Sequence, residues 1–497
     1  MNKLSLERLR GSVKQAVLGF DLHPAIVAGF ALHWAWVWIT FWSSKFYSAS
    51  PLPAGDQILS LEPLWLLSLL TNVLCYGALF FVGLRVGVFS RAAMLPWGAA
   101  ALTVVGTLFI ATPAPASVGQ LGAFGYVFGA LLTGVGSALE VMLWAELLAN
   151  RGARQVVVYS VMATVAGSLV FCLLMLLPGL VARCVTAALP AVEMWLFCRC
   201  RRLVTEARSV DSEPEGAASP ALRRSLVEIG LVALFFGFSY GMMKGFFVIS
   251  SDELIAVRDG LNIVALILGA VAVLLTTSVF RMDFRHMTYQ VALPLMAAGF
   301  VFFSLGYPLD LVGFAAHQMG YQYFYIIIWA LWAVLSLGQR RPVAPFAAVS
   351  MAAIMGGQLV GSVVGAQLVT AATSPYHIAV VAACSVFVIL LVALFAFESP
   401  FPGSDRTVFQ VPADEEGESE GGSLASLARS RGLSPREVEV FEYLARGRNC
   451  SFISTQLVIS EETAKTHIKR IYRKFGVHSQ QALLDLVELD GIPRSEG

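Results

Sequence analysis

Residues 461–475 read EETAKTHIKRIYRKF, and two kinds of side chain alternate there at helical spacing. Ala464, Ile468, Ile471 and Phe475 recur three and four residues apart, as the face of a helix packed on a core does. Thr463, Lys465, Thr466, His467, Lys469, Arg470, Arg473 and Lys474 occupy the remaining surface. Cations clustered with a few short hydrogen-bonding groups suit a DNA major groove, with ammonium and guanidinium groups on phosphates and one or two side chains on base edges. A solvated amphipathic helix standing alone would look the same, so the assignment depends on its neighbours. No other chemistry is legible. There is no phosphate-cradling glycine loop, zincin motif or nucleophile elbow, so no catalytic residue, metal ligand or cofactor is assigned. The seven cysteines sit mostly in apolar runs, and Cys198 and Cys200 have poor spacing for zinc.

The neighbours of this helix are what a DNA reader needs. Ser434-Pro435-Arg436-Glu437 carries a serine N-cap, a proline at the first helical position and a glutamate that completes a capping box. Val438, Phe441, Tyr443 and Leu444 then give an apolar face, and Gly447 a stop. A second helix is predicted from about Cys450 to Leu457, with Ile453 and Leu457 on its inner side. Ser460 caps the third, where Glu461 and Glu462 favour the positive end of the helix dipole. The second and third helices follow the helix–turn–helix layout of support and recognition.

The stretch Leu433-Ser434-Pro435-Arg436-Glu437, Ala445-Arg446-Gly447, Ile459-Ser460, Thr463-Ala464-Lys465-Thr466-His467 and Ile471-Tyr472-Arg473-Lys474-Phe475-Gly476-Val477 resembles the LuxR-type (NarL/FixJ) DNA-binding domain. The resemblance implies that Lys465, Thr466 and Lys469 face base edges, that His467 and the nearby basic residues lie along the backbone, and that the fourth helix mediates dimerisation. This chain departs from the family at Cys450, Ser454, Ala464 and Gln480, where asparagine, alanine, valine and arginine are frequent.

The rest of the chain belongs to a different solvent. Over 497 residues it is 57% hydrophobic and only 13% charged, against roughly 25% charged in soluble domains. A helix of roughly 20 apolar residues crosses a bilayer, and twelve spans are predicted at 24–45, 62–84, 92–112, 120–148, 156–177, 180–198, 226–249, 260–280, 287–306, 317–338, 343–372 and 376–397. With the N-terminus in the cytoplasm, Arg85, Arg91, Arg151, Arg154, Arg199, Arg201, Arg202, Arg208, Arg223, Arg224, Arg281, Arg285, Arg340 and Arg341 fall in inner loops, whereas outer loops and edges hold Lys45, Arg183 and Arg258. That is the positive-inside pattern. No cleavable signal peptide is visible, and residues 1–20 read as a basic cytoplasmic leader. The membrane domain spans 21–398, with halves 21–200 and 225–398 joined by a linker at 201–224; an acidic linker at 399–428 precedes the DNA-binding domain at 429–497. The expected fold class is therefore all-α: a polytopic bundle of twelve spans, six plus six, then a small four-helix domain. The six-plus-six plan resembles the major facilitator superfamily in architecture, although residues 83–91 (GLRVGVFSR) lack the acidic residue of that family's loop signature.

Ionisable and amide groups within spans mark ligand paths or interhelical hydrogen bonds. Lys244, mid-span in Gly241-Met242-Met243-Lys244-Gly245, is the first candidate for a ligand contact; Glu140, His33 and Asn262 follow. A lysine paired with Glu140 or Glu146 is the plainer alternative. Asn72, Gln358 and Gln367 suit interhelical bonds, and Trp34, Trp36, Trp38 and Trp42 suit either a cavity wall or an interfacial belt. Glycine stripes at Gly237, Gly241, Gly245 and at Gly357, Gly361, Gly365 mark close helix packing.

Together these features predict a membrane-bound one-component transcription regulator in a bacterial inner membrane, both termini cytoplasmic. Its partners would be double-stranded DNA, the lipid bilayer, a small-molecule ligand, a second copy of the chain on DNA, and RNA polymerase. The competing expectation is a secondary transporter with an appended DNA-binding reporter. A plain anchor needs only one or two spans.

Overall fold

The computed structural model describes residues 22–47, 63–86, 89, 92–111, 120–205, 220–246, 252–339, 341–370, 380–381, 384–385, 427–428, 431–445, 447–457 and 460–489. All regular structure among them is helical. The leader 1–20, most of the linker 201–224 and almost all of the acidic linker 399–428 lie outside the described residues. The chain divides into two compact units, Met1–Phe409 and Gln410–Gly497.

The first unit is built from α1 (Pro24–Trp42), α2 (Pro63–Val86), α3 (Leu95–Ala111), α4 (Gln120–Ala149), α5 (Ala153–Met175), α6 (Gly179–Thr205), α7 (Pro220–Phe246), α8 (Asp252–Ser278), α9 (Phe284–Phe303), α10 (Leu309–Gln339) and α11 (Ala344–Thr370). Within α9, residues Met287–Ala292 form a π-helical turn. Ten of these helices are long and apolar enough to cross a bilayer. The span predicted at 92–112 appears as α3, apolar but only 17 residues long. The span predicted at 376–397 lies almost wholly outside the described residues. The break between α5 and α6 falls at Pro178, where a proline cannot continue the preceding helix. Large apolar side chains such as Leu74, Phe81, Phe124 and Leu173 are exposed on the outside of the unit, as a lipid-facing surface requires.

The most extensive helix pair is α7 with α11. The two glycine stripes meet there: a Cβ on Gly237, Gly241 or Gly245 would press on the Ile354, Gln358 or Ser362 carbonyl, and one on Gly357, Gly361 or Gly365 on the Leu234, Phe238 or Met242 carbonyl. The stripes are thus each other's packing surface, with backbone against backbone. Further pairs, α2 with α11 and α5 with α8 and α10, join the two halves.

The second unit holds α12 (Pro435–Ala445), α13 (Cys450–Gln456), α14 (Glu461–Phe475) and α15 (Gln480–Leu489) around its own core of Val440, Phe441, Leu444, Ile453, Ala464, Ile471, Phe475, Leu483 and Val487.

Candidate functional sites

The capping box at α12 forms as the sequence predicts. The Ser434 amide donates to Glu437 Oε2 at 2.8 Å and the Glu437 amide to Ser434 Oγ at 3.4 Å. Ser460 caps α14, its Oγ accepting from the Thr463 amide at 3.1 Å. Gln480 begins α15 and ties it to α12, donating through Nε2 to the Leu444 and Arg448 carbonyls at 3.2 and 2.9 Å. These local ties fix α14 with Ala464, Ile471 and Phe475 buried and stacked on the domain core, Phe475 lying on Phe441.

The opposite face of α14 is open. Thr463, Lys465, Thr466, Lys469, Arg470 and Arg473 are all exposed there. Lys465 lies 3.0 Å from Glu462 one turn back, which raises its pKa without removing it from the surface. Thr466 Oγ1 donates to the Glu462 carbonyl at 2.8 Å. Two of the eight predicted contacts differ in placement. His467 is half-buried, with Nδ1 in the interior and no hydrogen-bond partner among the described residues. Lys474 turns inward: its Nζ donates to Glu437 Oε2 and to the Gly432 carbonyl, both at 2.7 Å. The ammonium hydrogen bond from Lys474 and the Ser434 amide hold the Glu437 carboxyl down to about 2. Lys474 therefore ties α14 to the start of α12, because at the flank of the helix it reaches a buried carboxylate before it reaches solvent.

In the first unit a partly open cavity is walled largely by aromatic rings, Trp34, Trp42, Trp65, Tyr76, Tyr321 and Tyr325 among them. Its polar lining comes from His33, Ser68, Asn72, Ser137, Gln322 and Gln358. Gln358 Nε2 donates to the Tyr321 hydroxyl at 2.6 Å, and Asn72 Nδ2 to the Ser68 carbonyl at 2.9 Å. Trp34 and Trp42 thus line a cavity, whereas Trp36 and Trp38 are wholly buried, so the tryptophans of α1 are not an interfacial belt. The Lys244 ammonium lies 5.0 Å from the Trp65 ring centre and 5.9 Å from that of Trp42, two members of the cavity wall. Asn262 is buried in α8 and is not part of the wall.

His33 and Glu140 do come together, and a third group joins them. Glu193, on α6, was not among the sequence candidates. His33 Nδ1 lies 3.1 Å from Glu193 Oε1 and 3.6 Å from Glu140 Oε2, and all three side chains are buried. The Trp144 indole donates to Glu193 Oε1 at 2.7 Å. Gly29 leaves room for that indole: a Cβ there would sit 2.8 Å from its ring carbons. The signal for Glu193 was available, since an acidic residue in the apolar run Ala191-Val192-Glu193-Met194-Trp195 is as unusual as Glu140. The other fourth-span carboxylate, Glu146, accepts from the Phe89 amide at 2.6 Å.

Comparison with known proteins separates the two units. Residues 431–487 match the family described as bacterial regulatory proteins, luxR family. The nitrate/nitrite response regulator protein homolog of Haemophilus influenzae is 46% identical over 50 residues, which are 10% of this chain and 24% of that protein. The spore germination protein GerE of Bacillus subtilis is 38% identical over 58 residues, 12% of this chain and 78% of that one. The chain thus spans about a quarter of the first relative's length but most of the second's. Among solved structures, the major facilitator superfamily proton:xylose symporter XylE superposes with a TM-score of 0.53 at 14% identity, covering 80% of this chain and 97% of that one. A likeness at that identity concerns the fold of the membrane unit alone.

Proposed function

From a chain that belongs, through its C-terminal unit, to the luxR family of bacterial regulatory proteins, we infer a membrane-integrated one-component transcription regulator. The membrane unit senses a ligand in its aromatic cavity, and the C-terminal unit binds promoter DNA as a homodimer. The observation that carries this reading is the outward face of α14, where Lys465, Lys469, Arg470 and Arg473 stand exposed directly opposite the buried Ala464, Ile471 and Phe475. A 15-residue helix is about 22 Å long and narrow enough for the major groove. Thr463 and Thr466 on the same face offer hydroxyls to base edges or phosphates. His33 meets a ligand from the cavity wall, with Glu140 behind it and Lys244 against the Trp42 and Trp65 rings of that wall; Asn262 lies away from it. A ligand shifts the regulator only if it binds two states of the chain unequally. Both termini lie on the cytoplasmic side of a bacterial inner membrane in this reading, and RNA polymerase is the downstream partner.

The test uses the full chain in nanodiscs with DNA from upstream of its own gene and its neighbours. Binding should weaken with salt, and Lys469→Ala with Arg473→Ala, two cations lost per chain, should reduce the salt slope of a dimer by about 3 to 4. Absence of any preferred fragment, together with an unchanged slope in the variant, would sink the DNA-binding reading. The cavity also suits a secondary transporter, which would show saturable, gradient-driven uptake into vesicles that Lys244→Ala abolishes; uptake unaffected by DNA-unit variants would favour that alternative.

A further inference from the structure

We propose that His33, Glu140 and Glu193 form a site for a divalent transition-metal cation inside the membrane unit. The three residues come from α1, α4 and α6, and their potential ligand atoms all lie within 4.8 Å of one another. Each side chain is no more than 1% exposed. Two ionised carboxylates beside one imidazole concentrate negative charge in a buried interior, and a single divalent cation can balance both carboxylates at once. The distances fit. Metal–ligand bonds of about 2.0 to 2.1 Å in tetrahedral array place ligand atoms roughly 3.3 Å apart. The observed 3.1 Å from His33 Nδ1 to Glu193 and 3.6 Å to Glu140 bracket that spacing.

A second observation is independent of the clustering. Oε2 of Glu193 is buried with no hydrogen-bond partner among the described residues, and both oxygens of Glu140, beside the His33 ring and the Thr103 hydroxyl, make no well-formed hydrogen bond. Buried carboxylate oxygens are ordinarily satisfied, so these are donor atoms set aside for a ligand. The surroundings hold them in place. The Trp144 indole orients Glu193, and the His33 imidazole is stacked 6.5 Å from Phe30 and met edge-on by Trp34 at 5.3 Å. The hydrogen bond from Trp144 is an outer-shell contact of the kind that orients metal ligands. One imidazole nitrogen with carboxylate oxygens suits zinc, manganese or ferrous iron; calcium and magnesium take six or more oxygens, which three side chains do not supply. Three protein ligands leave a fourth position, and His33 lies in the cavity wall, so a water or a small molecule in the cavity can complete the shell. The site rests on the regulator reading only for what the metal would signal; occupancy is measured without DNA.

The experiment loads the purified full chain, in detergent after chelator treatment, with zinc, manganese or ferrous ions separately, and measures bound metal per chain. One equivalent is expected, with a rise in thermal midpoint that grows with metal concentration. Glu140→Gln and Glu193→Gln should each weaken binding by about tenfold or more, and the double variant should bind none. X-ray absorption of the loaded wild-type chain needs no variant and guards against misfolding; it should show a nitrogen and oxygen shell with an imidazole signature. Substoichiometric binding of all three metals, full binding by the double variant, or a shell containing sulfur from any of the seven cysteines would overturn the assignment. A wild-type chain that binds none of the three metals yet still binds promoter DNA would refute the metal site and leave the regulator standing.

Discussion

Replacing Lys474 by methionine distinguishes a tie within the DNA-binding unit from a contact to DNA. Spacing alone puts Lys474 with the other cations of α14, yet the structure commits its ammonium to Glu437 and the Gly432 carbonyl at 2.7 Å each. The Glu437 carboxyl is held at about 2 instead of 4.5, with Lys474 the largest cause and the Ser434 amide the next. One pKa unit is worth about 1.4 kcal/mol, so the whole depression corresponds to about 3 kcal/mol. Lys474 is 31% exposed, and water and salt screen it, so its own share is about 1 to 2 kcal/mol. In a domain of this size that lowers the thermal midpoint by about 5 to 15 °C. The assay is denaturant unfolding of a fragment covering the compact unit Gln410–Gly497, alongside salt-titrated DNA binding by the full chain below the variant's melting range. Stability should fall while the salt slope stays unchanged. A slope reduced by about 0.9 per chain with stability unaltered would mean that Lys474 neutralises a phosphate, and the assignment to the fold would be wrong.

Two further outcomes follow from the same geometry. Because the folded pKa of Glu437 lies below its unfolded value of 4.5, the stability it contributes is present in full above that value and disappears as pH falls towards about 2. Unfolding of the Gln410–Gly497 fragment at stepped pH should show that loss, and Glu437→Gln should flatten the profile in the same window. In the membrane unit, Gly361→Leu drives a side chain into the Phe238 carbonyl across the α7–α11 seam, where backbone cannot step aside as a flexible side chain would. It should destabilise the unit by about 1 to 3 kcal/mol or more, read as a lower melting temperature in detergent. Gly98→Leu, at a glycine with open space around it, should leave the melting temperature near that of the wild type.

What the sequence made legible was what neighbours in the chain decide. The capping box at Ser434 and Glu437, the Ser460 cap and the two faces of α14 are set by residues three and four apart, and each forms as read, except that His467 and Lys474 leave the exposed face. The glycine stripes announced close packing for the same reason. That they pack on each other was not legible, since some 120 residues separate Gly241 from Ser362, whose hydroxyl donates to the Gly241 carbonyl. Span counting located the long apolar runs, and the run at 92–112 forms an apolar helix, α3, of only 17 residues.

The polar cluster marks the limit more sharply. Hydropathy singles out Glu140 and Lys244 as oddities, and the cheapest pairing on paper joins opposite charges. The fold instead brings Glu140 to another carboxylate, Glu193, and to His33, which is 160 residues from Glu193. Lys244 faces the rings of Trp42 and Trp65. Charge complementarity predicts partners only when the chain is free to choose them; here helix packing chooses, and the carboxylates are left to be neutralised by something else. A membrane interior that assembles like charges, instead of separating them, has a use for the cation or proton that resolves the conflict. That is why the buried cluster, more than Lys244, is where a signal is best placed to act on this unit.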